Sequence, residues 1–493
     1  MKINKLSYLI SLSLIGALNS SAEACSALIV GKSASNNHSM FIARNEDFGD
    51  NNWAKHLVYH PSEEPTAKEW NLGDGLVIPM PKKLYAYSAL PDWDAKESNK
   101  EGKYFEERGV NEFNVALSAT NSADVNEKAN KVDPLVKNGL SEALIPSIIL
   151  PQIKTAKEGV ELLGKYLKDY GASEGNILYF ADEKEIWMME IGSGHHWIAV
   201  KVPDDAYVMV ANALRIHNVD LDSPDVLHSE GLYEFVEKNK LLDNPNKKSF
   251  NFAKAFGVLG DTYNTHRVWL GQKMLSPSIK QSENEAIYPL FQKPDSPIDI
   301  TKIKQVLSAD FNGTILEKDG KRPMRVERQL ETHIIEIRPE KPKALQIVTW
   351  QSLGVLSESL VVPLYSTMTK YPNSFVMGTD QYDPNSAYWQ FRSLTTLANT
   401  NAQKYYPFIH KNLAVEQKDI IERFNQVDKQ LSAIKAVPMM KTKSADFSVK
   451  ELNHAYDFAK SLNSKIMTDL TKMSEGKKYT EKEQKAILTL PKE

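Results

Sequence analysis

Only one of the 493 residues is cysteine, which by itself excludes a disulfide framework. Excess charge of one sign is also missing. The 60 Lys and Arg face 63 Asp and Glu, a formal net charge of -3, so nothing draws the chain toward nucleic acid or anionic lipid. A nucleic-acid binder is not expected. Past the first 20 or so residues no apolar run approaches the roughly 20 needed to span a bilayer. There is no phosphate-binding glycine loop, no internal repeat of fixed period and no motif that implies a cofactor. Twenty-three Gly and 24 Pro are ordinary and exclude a collagen-like or wholly disordered chain. With 42% apolar and 25% charged residues the chain is globular, as one large domain with additions or as two to three smaller ones.

What is present starts at the N-terminus. Lys2 and Lys5 precede an apolar stretch from Leu6 to Leu18, and small residues follow, ending in Ala22-Glu23-Ala24. This is the pattern of a secretory signal with an Ala-x-Ala cleavage site. Residues 1–24 are therefore expected to be removed by a signal peptidase, leaving an exported, periplasmic or secreted protein with no membrane attachment after cleavage. Cleavage after Ala24 makes Cys25, the only thiol, residue one of the mature chain.

Three readings of Cys25 are open. It is an incidental residue beside a cleavage site, a lipid-modified anchor, or an N-terminal nucleophile. Ala22 and Glu23 suit a lipobox poorly, because that signal asks for an aliphatic residue three before the cysteine and a small one two before. The nucleophile reading has a chemical argument behind it. A free α-amine, with a reference pKa of about 7.7 to 8.0, nearly matches a thiol at about 8.5, so the residue carries its own base. No histidine is needed, and export and activation become one event.

The next residues suit that use. Ser26-Ala27-Leu28-Ile29-Val30 reads as a buried strand, Gly31 to Ser39 as a turn, and Met40-Phe41-Ile42-Ala43-Arg44 as the returning strand. Such a hairpin brings Arg44-Asn45-Glu46-Asp47 back beside Cys25. Arg44 can then stabilise a thiolate, and Asp47 can orient the α-ammonium. On composition alone the same cluster also reads as a solvated strand end.

Cys25, Arg44-Asn45-Glu46-Asp47 and Asn111-Glu112-Phe113-Asn114-Val115-Ala116-Leu117-Ser118-Ala119-Thr120 together resemble the bacterial dipeptidase A family. Those enzymes are N-terminal-nucleophile cysteine peptidases related to secernins, penicillin V acylase and bile salt hydrolase. Glu174-Gly175-Asn176, Trp187-Met188-Met189-Glu190-Ile191, Val202-Pro203-Asp204-Asp205, Tyr263-Asn264-Thr265-His266-Arg267-Val268-Trp269 and Val362-Pro363-Leu364-Tyr365 extend the resemblance to about Lys435. It implies an α+β fold, a four-layer αββα sandwich with a helical C-terminal extension. The catalytic domain would span 25–370, with a mainly helical region at 371–493 packed on it. It also implies catalytic roles for Cys25, Arg44, Asp47, Asn121 and Asn212, a substrate-binding role for Arg267, and no metal. Family members often carry Thr-Glu where this chain has Thr120-Asn121, and Gly where it has Asn114. The implied reaction is hydrolysis of short peptides through a thioester. The same chemistry on a penicillin- or bile-acid-type amide is a second reading, and a non-catalytic secreted or lipid-anchored binding protein is a third. A homo-oligomer is compatible with all three.

Elsewhere, Asp92 to Arg108 reads as an exposed loop, and Ile177 to Ala211 as successive antiparallel strands. Leu144 to Leu150 and Ala156 to Tyr170 read as a helical pair covering a sheet. Ile420, Phe424, Val427, Leu431 and Ile434 mark one C-terminal helix, and Ser448-Val449-Lys450-Glu451 reads as the capping box of another. The polar tail from Lys472 is expected to fray. His195-His196 and Asp220 to Asp225 read as incidental histidines and a surface turn, not metal sites.

Overall fold

The computed structural model describes residues 25–47, 54–73, 75–93, 106–378, 381–476 and 480–490. The expected signal and its cleavage site lie outside the described residues. So does most of the loop expected between Asp92 and Arg108.

Two antiparallel sheets organise an α+β fold. The first has six strands in the order Tyr207–Val210, Ser26–Val30, Met40–Asp47, Gln329–Ile337, Ile347–Leu353 and Val362–Tyr365. The second has nine. Its main path runs Val226–His228, Trp197–Lys201, Ile186–Ile191, Asn176–Ala181, Ala116–Ser122, Glu106–Asn111, Tyr87–Trp93 and Ala54–Lys55, and Val58–His60 also pairs with Tyr87–Trp93.

The two-residue period of a strand decides what each face buries. On the first strand Ala27 and Ile29 join a cluster shared by both sheets, with Ile42, Ile335, Ile177, Tyr179 and Met188. Leu28 and Val30 instead join Phe41, Ala43 and the helical residues Ile303, Leu452 and Ile466. On the second sheet Leu117, Leu178 and Phe180 meet Val160, Leu163 and Leu167 of helix Ala156–Tyr170. Both faces of the first strand are buried, which explains its unbroken apolar sequence.

Four expectations need correction. Tyr207–Val210 does not continue the run of strands from Asn176; it crosses to the other sheet and pairs with Ser26–Val30. Glu106, Glu107 and Arg108 are not exposed loop residues but a buried strand, because Glu107 pairs with Arg44 and Arg108 Nε and Nη2 donate to Gln351 Oε1. Ser448 does not cap a helix. It lies inside the continuous helix Val437–Ser474, where its hydroxyl accepts the Tyr365 N–H at 3.0 Å and Glu451 pairs with Arg423 at 2.8 Å. In the polar tail, Glu481–Ile487 is helical, with a capping box between Thr480 and Glu483.

Ile420, Phe424 and Leu431 are buried along helix Ala402–Ser432, facing the six-stranded sheet rather than forming a separate coiled-coil seam. Phe424 stands edge-on to Trp350 at 4.7 Å between centroids. Arg338 donates to Asp428 at 2.7 Å, and so does the Tyr365 hydroxyl. Among the described residues no helix is long and apolar enough to cross a membrane.

Helix Ala156–Tyr170 is seated on the larger sheet through Gly164. A Cβ there would fall 2.2 Å from the Trp197 ring. In an exposed helix Gly→Ala is worth roughly 0.5–1 kcal/mol of stabilisation, but overpacking against a buried ring costs roughly 1–3 kcal/mol. Gly164→Ala is therefore expected to lower the urea midpoint, and a raised midpoint would show that the ring can give way.

Candidate active site

Cys25 lies at the start of the first strand, where Ser26 is paired with Asn45 and Ala27 with Arg44. Alternation then puts the Cys25, Arg44 and Glu46 side chains on the face shared by the two sheets, and Ser26, Asn45 and Asp47 on the other. Cys25 is buried, and Arg44 Nη1 donates to its Sγ at 3.3 Å. The far side of the same guanidinium pairs with the Glu107 carboxylate and donates to the Glu107 carbonyl at 3.4 Å. Burial pushes the thiol pKa up; Arg44 opposes this, while Glu46, Glu107 and Glu142 add to it. A thiol so placed is protonated at rest and needs a base to react.

Behind Arg44 is a second charge cluster. Lys55 is buried and pairs with Glu46 at 2.6 Å, with Glu107 at 3.1 Å and with Asp92. Carboxylate oxygens of Glu46, Asp92 and Glu107 lie within 4.8 Å of one another, close enough in principle to hold a metal ion. The Lys55 ammonium already supplies a cation to all three. Burial pushes Glu46 well above the usual carboxylate range and Asp92 up to about 7.

Arg267 comes from helix Thr262–Leu275, whose first turn is capped by Asp261. Nη1 donates to the Cys25 carbonyl at 2.6 Å and to Ser26 Oγ at 3.1 Å. Nη2 donates to Asn212 Oδ1 at 3.0 Å and Asn264 Oδ1 at 2.6 Å, and Nε to the Tyr263 carbonyl at 3.1 Å. A guanidinium has five N–H groups, and these five acceptors use them all. Arg267, expected to contact substrate, here spends its donors on the protein's own oxygens.

Asn212 follows strand Tyr207–Val210, and its N–H donates to Asn264 Oδ1 at 3.0 Å. Asn121 reaches the inter-sheet face through a bulge. Asn121 pairs with Ile177 but Ala119 with Leu178, so Thr120 is the extra residue and the parity of the strand changes after it. Asn121 Oδ1 accepts the Tyr179 hydroxyl at 3.1 Å. With both amide oxygens occupied, the Nδ2 groups of Asn121 and Asn212 are buried and, among the described residues, without a hydrogen-bond partner. A buried unpaired donor costs roughly 1–3 kcal/mol, so each of these amides is in a state that an added acceptor would relieve.

Asp47 is the sixth expected residue. It does not reach Sγ, being on the other strand face, and pairs with Arg322 and with Arg328 Nε at 3.5 Å. Arg322 in turn donates to Ser26 Oγ at 3.4 Å. The structure thus brings Cys25, Arg44, Arg267 and Asn212 into direct contact. Asn121 lies on the inter-sheet face with its Oδ1 on the Tyr179 hydroxyl, and Asp47 is linked to Ser26 through Arg322.

Against known families, residues 24–417 match Peptidase family C69. A protein of Latilactobacillus sakei described as "Probable dipeptidase" is 35% identical over 398 residues, covering 77% of this chain and 82% of its own. The chain belongs to peptidase family C69. A "Dipeptidase" of Bifidobacterium longum (strain NCC 2705) is 33% identical over 76% of this chain and 77% of its own. A "Probable dipeptidase B" of Streptococcus pyogenes serotype M1 is 29% identical over 96% of this chain and 99% of its own.

Sequence reasoning missed several parts of this C69 site. Tyr179 sits in an apolar strand and carries no motif signal. Glu107 and Lys55 lie in stretches read as polar surface or not singled out. Glu190, within a stretch the resemblance does mark, accepts the Arg215 and Ile216 N–H groups and so fastens the chain just after Asn212. Burial pushes its pKa up to about 8. His195 and His196 are held by Asp133 and Ser229 at 2.7 and 2.9 Å. Asn114 adopts φ 63, the left-handed conformation that glycine takes where family members carry it.

Glu107 competes with Sγ for Arg44. In the protein beginning at Cys25, Glu107→Gln is expected to lower the midpoint pH of thiol alkylation by on the order of one unit, since a carboxylate that opposes the thiolate and draws on Arg44 is removed. Alkylation rates of the two proteins across pH measure this. An unchanged or raised midpoint would mean Arg44 does not set the thiol's acidity.

Proposed function

We propose that this C69 peptidase is an exported dipeptidase whose nucleophile is Cys25, exposed as residue one by signal cleavage after Ala24. The fold reading that accompanies it is the αββα N-terminal-nucleophile sandwich. Two sheets sharing one apolar cluster, with helices against their outer faces, support it. The dipeptidase names of the relatives support the substrate class.

The observation that carries the mechanism is the Arg267 bridge. One guanidinium holds the Cys25 carbonyl and the Asn212 amide oxygen, so the nucleophile and an unpartnered amide donor are fixed relative to each other. The Cys25 α-amine takes the thiol proton as sulfur bonds to the scissile carbonyl carbon. The resulting oxyanion accepts N–H bonds from Asn121 and Asn212 Nδ2. The ammonium then protonates the leaving nitrogen, the C–N bond breaks, and a thioester remains. The amine next deprotonates a water, whose oxygen bonds to the acyl carbon. The C–S bond breaks, and the thiol recovers its proton. Arg44 offsets charge on sulfur throughout. Asp47, which Arg322 holds in place, is assigned the orienting of the amine.

Asn121→Ala and Asn212→Ala are each expected to lower kcat by roughly 10²- to 10³-fold with little change in KM on a panel of dipeptides. Equal loss through KM alone would remove them from the oxyanion site. Retaining one residue ahead of Cys25 is expected to leave a folded protein with no turnover, because an acylated amine accepts no proton. Hydrolysis by that extended protein at the mature rate would contradict the mechanism.

A further inference from the structure

Four arginines gather where Cys25 begins its strand, and they are not equivalent. Arg44 is committed to Sγ and Glu107, and Arg267 has no N–H left. Arg322 is buried against Asp47 and Ser26. Arg328 differs. Its side chain is 42% exposed while Asp47 beneath it is fully buried. Nε donates to Asp47 Oδ1 at 3.5 Å and Nη2 to the Tyr263 hydroxyl at 2.8 Å. Among the described residues Nη1 has no protein partner.

The position is fixed as well as open. Arg328 directly precedes Gln329, which is paired with Asp47 in the sheet, so its backbone sits at the same sheet end as Cys25. Tyr263, which holds Nη2, is also the residue whose carbonyl takes Arg267 Nε and whose ring lies 5.1 Å from the Arg267 guanidinium. The Asp47 carboxylate faces the guanidiniums of both Arg322 and Arg328 here. Burial, and after it the neighbouring Arg328 charge, push the Arg322 pKa down to about 9. Of the four guanidiniums, the Arg328 one is the most open to solvent.

We propose that Arg328 is a specificity residue that binds the free C-terminal carboxylate of the peptide through its exposed N–H groups, with the Tyr263 hydroxyl holding the guanidinium in place. The inference rests on the dipeptidase reading of the same site and adds to it a requirement for a carboxylate on the leaving residue. A planar fork matches a carboxylate's two oxygens; a lysine at the same point would supply charge without that geometry.

The test compares the best dipeptide of a panel with its C-terminal carboxamide, using the processed full-length protein. The native enzyme is expected to prefer the acid by on the order of 10²-fold in kcat/KM, because the amide leaves the guanidinium unpaired. In Arg328→Gln that ratio is expected to fall toward one, with the loss on the acid carried by KM. In Arg328→Lys it is expected to be intermediate, which keeps the test decisive if the Gln protein is too slow to assay. A variant that slows both substrates equally and keeps the native ratio would overturn the proposal, because that is what mere support of Asp47 would produce. A native enzyme indifferent to amidation would also overturn it. A native enzyme that hydrolyses neither compound would sink the dipeptidase reading itself, and this inference with it.

Discussion

A guanidinium whose hydrogen-bond partners are all neutral oxygens holds the site together. Arg267 is wholly buried, and burial pushes its pKa down to about 10, yet none of its N–H groups is wasted. Its acceptors come from the first strand, from the chain after Tyr207–Val210, and from its own helix. Those three elements are far apart in sequence and meet only because the Tyr207–Val210 strand crosses from one sheet's neighbourhood to the other and pairs with the Cys25 strand. Breaking a buried charge's hydrogen bonds costs several kcal/mol, so the strand crossing, the helix position and the Asn212 amide orientation are fixed as one unit.

A second unit lies on the inter-sheet face. Cys25, Arg44, Glu107 and Lys55 form a chain in which each charge is answered by the next, ending in the Glu46 and Asp92 carboxylates. Burial raises the Glu46 and Asp92 pKa values, opposed by the Lys55 ammonium they face, while Arg44 stays charged beside sulfur. The thiol is thereby kept neutral and buried until a base acts on it. A residue that has its own amine next to its thiol provides such a base without a histidine.

Much of this was legible in the sequence because the hairpin is local. An apolar run, a polar turn and a second apolar run ending in Arg44 fix a register that a buried face cannot let slip. Asn212 and Arg267 were legible through resemblance, but the direction of Arg267 was not, since only the three-dimensional meeting of its acceptors shows that its donors are exhausted. Asn121 illustrates the opposite difficulty. Strict alternation from Ser118, which meets His333 of the other sheet, would turn Asn121 away, and the bulge at Thr120 reverses that. Glu106 to Arg108 look solvated because three charged residues stand in a row, whereas each finds a partner on another element. The mid-helix Ser448 was misread for a related reason: its partner, Tyr365, is 83 residues away.

In the proposed mechanism the acyl group rests on a sulfur belonging to the first residue of the mature chain. Acid-quenched turnover followed by peptide mass analysis addresses this directly. The account predicts a peptide that begins at Cys25 and carries, on that residue, the acyl mass of the substrate's N-terminal amino acid. A fully active preparation whose chain begins upstream of Cys25, or whose adduct lies on any other residue, would contradict it.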